Sequence, residues 1–152
     1  TSGNSDYHWW NDTAPTSSVF SLGNANTNNS GAKLIAYCFH SVDGYSKMGS
    51  YTGNGNVDGP FGYTGFRPAF VMIKNASVGY DWWIFDDTRS PNNAVNKYLS
   101  PDLTDTEYTA DIMDFTANGF KIRNASNGWN GSGNKIIFAA FAEVPTKFAL
   151  AR

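Results

Sequence analysis

The chain has 152 residues, enough for one or two small domains with a buried core, and a formal net charge of -2 from 11 Lys+Arg against 13 Asp+Glu. That balance leaves no basic stripe for nucleic acid, and no apolar run approaches the roughly 18 residues that cross a bilayer. Aromatic residues at 16%, with 15 glycines and only Glu107 and Glu143 as glutamates, point away from helices and toward strands joined by tight turns.

In chain order, residues 19–42, VFSLGNANTNNSGAKLIAYCFHSV, read as two strand-like runs joined by a polar Asn/Ser/Gly turn. The single cysteine, Cys38, sits in the second run, LIAYCF, where a buried inert thiol is expected. Residues 48–66, MGSYTGNGNVDGPFGYTGF, alternate aromatic with small residues around Gly-Asn-Gly and predict short strands with tight turns. Ala69 to Lys74, AFVMIK, is the strongest strand; after the turn residues NASVGY, Asp81 to Asp86 returns as its hairpin partner. Trp82 and Trp83 are consecutive on that strand, so one faces in and the other faces out or into a partner. Residues 90–115 lack strict alternation and carry Pro91 and Pro101. Thr104 and Glu107 have the spacing of a capping box, which predicts a helical turn near Asp105. The final pair, GFKIRN and KIIFAAFAEV, is expected as a hairpin across ASNGWNGSGN.

Residues 19–42 also resemble residues 119–144. Phe20, Leu22, Asn24 and Ala25 fall on Phe120, Ile122, Asn124 and Ala125. With roughly two residues inserted in the polar stretch, Gly31, Lys33, Ile35 and Phe39 fall on Gly133, Lys135, Ile137 and Phe141. WWNDTAP precedes the first copy and WWIFDDTRSP the second, which suggests a duplicated unit. On this reading residues 1–45 end a preceding, partial repeat, residues 46–152 form a complete unit, and the chain is the end of a longer protein. Equivalent phenylalanines should then occupy equivalent core positions, because a one-residue slip exchanges the two faces of a strand. The expected fold is all-β, a sandwich of roughly ten short antiparallel strands with long polar loops. Its inner faces would take Phe20, Leu22, Ile35, Tyr37, Phe39, Phe70, Met72, Ile84, Phe120, Ile122, Ile137 and Phe141.

WNDTAPTSSVFSLGN, IAYCFHSVDGYSKMGSYTGNGNVDGPFGYTGFRPAFVMIK, DFTANGFKIRN and the ending AAFAEVP with ALAR resemble a C-terminal module of bacteriophage virion proteins. These are the tail-fibre-like and structural proteins of marine phages. The resemblance covers almost the whole chain, and GPFGYTGFRPAFVMIK is its most specific segment. It implies a virion-surface protein made in the bacterial cytoplasm, assembled as a homo-oligomer, a trimer if it is a fibre. It carries over no catalytic residue and no cofactor.

The residues themselves give little chemistry. His8 and His40 have no nucleophile-elbow Gly-x-Ser-x-Gly to work with. Asp86 and Asp87 are neighbours on a strand and point to opposite faces, so they cannot serve as a glycosidase pair. Asp12 and Asp87, each beside a Thr, fit turn-closing roles. Asp102, Asp105 and Asp111 are the candidate ligands for a calcium ion, although no EF-hand spacing is present. Trp129, flanked by Asn127 and Asn130 in a polar loop, either folds back onto this domain or a neighbouring subunit or serves as a sugar-stacking tip, with Tyr80 and Tyr45 as further ring candidates and Tyr63 equally open. The expected function is a non-enzymatic virion module that supports host attachment through a surface glycan or envelope component, without nucleic acid or membrane insertion. A purely structural oligomerisation or decoration module is the alternative, and a depolymerase fragment the second.

Overall fold

A computed structural model describes residues 11, 13–23, 28, 30–31 and 33–143. Trp9, Trp10, Asp12, Asn24 and the ending after Glu143 therefore lie outside the described residues. The chain divides into two compact units, Thr1–Cys38 and Phe39–Arg152.

In the first unit, Thr16 N–H donates to the Val19 carbonyl at 2.9 Å, and Thr16 Oγ1 accepts from the Val19 N–H at 3.1 Å, closing a Thr-centred turn. No strand or helix runs through the described residues here. Val19, Phe20, Leu22, Leu34, Ile35 and Tyr37 are exposed. Cys38 is exposed too, because no strand forms to bury it. The core equivalence expected of two copies is not seen. Phe120 is fully buried, whereas Phe20 is 39% exposed and Phe39 59% exposed, both outside any strand.

The second unit is all-β. Its strands are β1 (Ser46–Thr52), β2 (Phe61–Tyr63), β3 (Phe70–Asn75), β4 (Trp82–Asp86), β5 (Val95–Leu99), β6 (Tyr108–Thr116), β7 (Gly119–Ile122) and β8 (Lys135–Phe141). A four-residue helix, α1 (Asn127–Asn130), precedes β8. All pairings are antiparallel, in one eight-stranded sheet of order β1-β8-β3-β4-β5-β6-β7-β2, nearly barrel-shaped. All strands of the described residues thus belong to one curled sheet, and the expected two-sheet sandwich of about ten strands is not seen among them.

The β3–β4 hairpin forms as expected, with Met72 opposite Ile84 and Trp83 buried beside an outward Trp82. Two expectations are corrected. β7 and β8 are not a hairpin: β7 pairs with β6 and β2, while β8 lies between β1 and β3. The tight turn at Ala117 and Asn118 gives β7 a nearer partner in β6, so the loop to β8 crosses from one side of the sheet to the other. Residues 104–107 form no helical turn, and the stretch around them carries β5 and β6. The register of β6 slips against β5 between Val95 and Lys97. That irregularity breaks the alternation by which a strand is recognised.

The core also faces the other way on three strands. Val71, Ile73, Trp83, Phe85, Ile136, Phe138 and Ala140 point in with Phe120 and Ile122. Phe70, Met72, Ile84 and Phe141 are half-buried on the outer face, where Ile137 is exposed. A continuous apolar run does not reveal which of its two faces is inside.

Closure is visible in contacts between the two ends of the strand order. The Phe120 ring on β7 meets Phe138 on β8 edge-on at 5.1 Å and 87°, and Tyr51 on β1 at 6.0 Å. Each phenylalanine lies over the glycine directly opposite it on a terminal strand, Phe138 over Gly49 and Phe120 over Gly62. A Cβ on Gly49 would stand 2.6 Å from Phe138 Cζ, and one on Gly62 would fall into the Phe120 ring. Neither ring can retreat, because each is wedged against the other. Gly62→Ala should therefore lower unfolding stability by about 1–3 kcal/mol in a denaturant titration, while Ser50→Ala at an exposed β1 position changes it by less than about 0.5 kcal/mol. Equal effects at the two positions would show that the Phe120 seat is not tight.

Candidate functional site

The ends of β1, β3, β5 and β7 and the starts of β2, β4, β6 and β8 carry their loops to one end of the sheet, which α1 stoppers. Trp129, from this short helix, is only 8% exposed. Its ring meets Trp83 at 5.1 Å and Tyr98 at 5.7 Å, its Nε1–H donates to Asn124 Oδ1 at 3.1 Å, and its carbonyl accepts the Tyr51 hydroxyl at 2.8 Å. Burial pushes the Tyr51 phenol well above its ordinary pKa, so it stays a donor. Of the two roles open to Trp129, the sugar-stacking tip is thus corrected and packing on its own domain is found: the loop folds inward because Gly128 lets it lie against Trp83. Buried this far, the indole has no open face left for a sugar.

Asn130 is fully buried. Its Oδ1 accepts the Asn54 N–H at 2.9 Å, and its Nδ2 donates to the Asn56 and Asn124 carbonyls at 2.7 and 2.9 Å. One amide therefore ties three loop positions together and has no hydrogen-bonding group to spare for a glycan. Asn127 is exposed, and its carbonyl accepts from Asn75 Nδ2 at 3.0 Å. Tyr80 is half-buried beside Trp83 at 6.0 Å. Tyr45 is elsewhere. Its ring meets Phe141 at 6.1 Å at the far end of β8, about 17 Å along the strand from Ile136, which pairs with the Asn75 that holds Asn127. The five ring and amide candidates do not make one site.

Two of the three carboxylates proposed for calcium have separate employments. Asp102 accepts the Trp82 N–H on both oxygens at 3.1 and 3.2 Å, and Asp105 accepts the Tyr108 hydroxyl, whose pKa is pushed up to about 12 by that bond. Asp111 contributes its backbone carbonyl to Asn124. Among the described residues, no group of three His, Cys, Asp or Glu side chains gathers to hold a metal. Asp86 pairs with Arg89 and Asp87 with Arg67, each at 2.7 Å.

Outward-facing rings do exist on β2. Gly62 points to the core, so Phe61 and Tyr63 stand on the opposite face, 43% and 62% exposed and about 7 Å apart along the strand. Beside them Lys121, paired across from Phe61, bonds Asp58 at 2.7 Å and also donates to the Gly59 carbonyl. Asp114, opposite Lys121 on the other side, bonds Arg123 at 2.6 Å. The hydrogen bond and charge of Lys121, helped by Arg123, hold the Asp58 carboxyl below its ordinary pKa. Asp58 closes an amide-rich turn: Asn54 Oδ1 accepts the Asn56 N–H, Asn56 Oδ1 accepts the Asp58 N–H, and Asn54 Nδ2 returns to the Asp58 carbonyl. Two exposed rings, two ion pairs and exposed Asn54 and Asn56 thus form one continuous surface. Reasoning from sequence left Tyr63 ambiguous and did not gather these residues into a site, although the alternation in PFGYTG holds the signal.

Residues 1–145 match the family described as a domain of unknown function, DUF7483, and the chain belongs to that family. No curated protein and no solved structure matches it.

The amide hub gives a direct test of how this surface is held. Asn130→Ala leaves the Asn54 N–H and two carbonyls without their partner and should cost about 3 kcal/mol of unfolding stability. Amide exchange at Asn54 and Gly55 should accelerate together, since Gly55 N–H bonds the Asn130 carbonyl at 2.8 Å. Unchanged exchange at both would show the loop is held by something else.

Proposed function

We propose that this member of the DUF7483 family is a non-enzymatic binding module of a virion surface protein, and that it contacts a host-surface glycan through the outward face of β2. The observation that carries the reading is the pair Phe61 and Tyr63, exposed side by side on a strand whose inward glycine is locked beneath Phe120. Rings held this way offer flat apolar faces for pyranose stacking at little entropic cost, while neighbouring amides and ion pairs offer partners for hydroxyls. The virion setting rests on the sequence resemblance and is part of the proposal.

A second reading, a packing module between copies, is favoured by one feature of the outer face. Met48, Ala139, Met72, Ile84 and Leu99 stand in one register row across β1, β8, β3, β4 and β5. An apolar row of that kind suits contact with another protein surface.

A glycan microarray probed with the intact chain separates the two. Binding to a glycan subset, reduced at least tenfold by Phe61→Ala with Tyr63→Ala, is expected; a tenfold loss corresponds to about 1.4 kcal/mol. Binding that survives both substitutions would remove β2 from the site. A blank array together with a multimeric light-scattering mass would favour the packing role.

A further inference from the structure

We infer that the β2 surface selects uncharged glycans, and discriminates against uronate, sialate or phosphate-bearing ones; this rests on the glycan reading above. The cations on β2, β7 and β6, or within one residue of their ends, are Lys121 and Arg123, and Lys97, opposite Thr109 on neighbouring β5, is paired with Glu107 at 3.4 Å. The first two are likewise neutralised, Lys121 by Asp58 at 2.7 Å and Arg123 by Asp114 at 2.6 Å. Lys121 is further committed to the Gly59 carbonyl, so two of its three N–H donors are taken and the one left over sits beside the Asp58 carboxylate. Asp111, exposed on β6, adds a third carboxylate against two cations. Because Lys121 holds the Asp58 carboxyl below its ordinary pKa, the negative member of the pair persists well into acid.

An acidic sugar stacked on Phe61 or Tyr63 would bring its charge beside Asp58 or Asp114, and would meet each cation only next to the carboxylate that already neutralises it. That costs free energy that a neutral sugar does not spend. A neutral sugar presents hydroxyls that both donate and accept, and a paired carboxylate and ammonium retain one of each function at their outer edges. The rings supply sequence-tolerant stacking and the ion pairs supply orientation.

Isothermal titration of the intact chain with neutral polymers (mannan, galactan, β-glucan) and acidic ones (polygalacturonate, alginate, polysialic acid) tests this. At least one neutral polymer should bind, with an affinity that changes less than twofold between 50 and 500 mM NaCl and falls at least tenfold in Tyr63→Ala. Asp58→Asn should release Lys121 and raise the affinity for an acidic polymer, in a manner that salt suppresses. Binding confined to acidic polymers and weakened by salt would overturn the selectivity while leaving the glycan reading intact. Binding to neither class would overturn the glycan reading itself, and the selectivity with it.

Discussion

Two phenylalanines seated on two glycines hold the sheet closed. Phe120 and Phe138 come from β7 and β8, which are next to the opposite ends of the strand order, and their rings meet edge to face at 5.1 Å. Neither could reach the other if a side chain stood at Gly49 or Gly62, the facing positions on terminal strands β1 and β2. Covering an edge glycine with the ring of its cross-strand neighbour is a known way to make a strand position without a side chain contribute to packing. Here it is used twice, once at each end of the sheet. The curl that results lets every strand contribute one face to a common core, with Val71, Ile73, Phe85, Ile112, Met113, Ile122 and Ile136 all but fully buried.

The consequences reach the surface by the alternation of side chains. Because Gly62 must face inward, Phe61 and Tyr63 must face outward, and a three-residue strand becomes a two-ring platform. The neighbouring loops are fixed from within. Trp129 fills the end of the sheet against Trp83 and Tyr98, and Asn130 binds the turn at Asn54 to the segment at Asn124. Buried amides of this kind define one loop arrangement, since each alternative leaves donors and acceptors unsatisfied. The loop that looks most like a binding tip by composition is therefore the stopper, and the binding face proposed here lies on the strand beside it.

Much of the fold was legible. Strand-rich composition, the β3–β4 hairpin, the opposite facing of Trp82 and Trp83, and the short strands flanking the Gly-Asn-Gly turn all follow from alternation and turn chemistry. What was not legible has physical causes. AFVMIK and KIIFAAF are apolar on both faces, so the pattern cannot say that Val71 and Phe138 go in while Met72 and Ile137 stay out. Pairing of β7 with β6 and β2, and of β8 with β1 and β3, is a long-range choice that a polar loop of hairpin-like composition conceals. The likeness of residues 19–42 to 119–144 carries the same lesson, since a shared alternation does not bring Phe20 into a core as it does Phe120. At the site, the role of Trp129 stayed open because an Asn-rich loop can be polar toward the protein as well as toward water. Phe61 was passed over and Tyr63 left ambiguous because exposure is decided by the glycine between them.

The closure of the sheet is the claim on which both the core and the platform rest, and proton NMR reads it directly. Gly49 and Gly62 α-protons lie against the faces or edges of Phe138 and Phe120, so they should be displaced strongly by ring currents, and nuclear Overhauser contacts should join the Phe120 and Phe138 rings to each other and to Tyr51. Glycine α-protons at ordinary strand positions, with no contact between the Phe120 and Phe138 rings, would contradict the account.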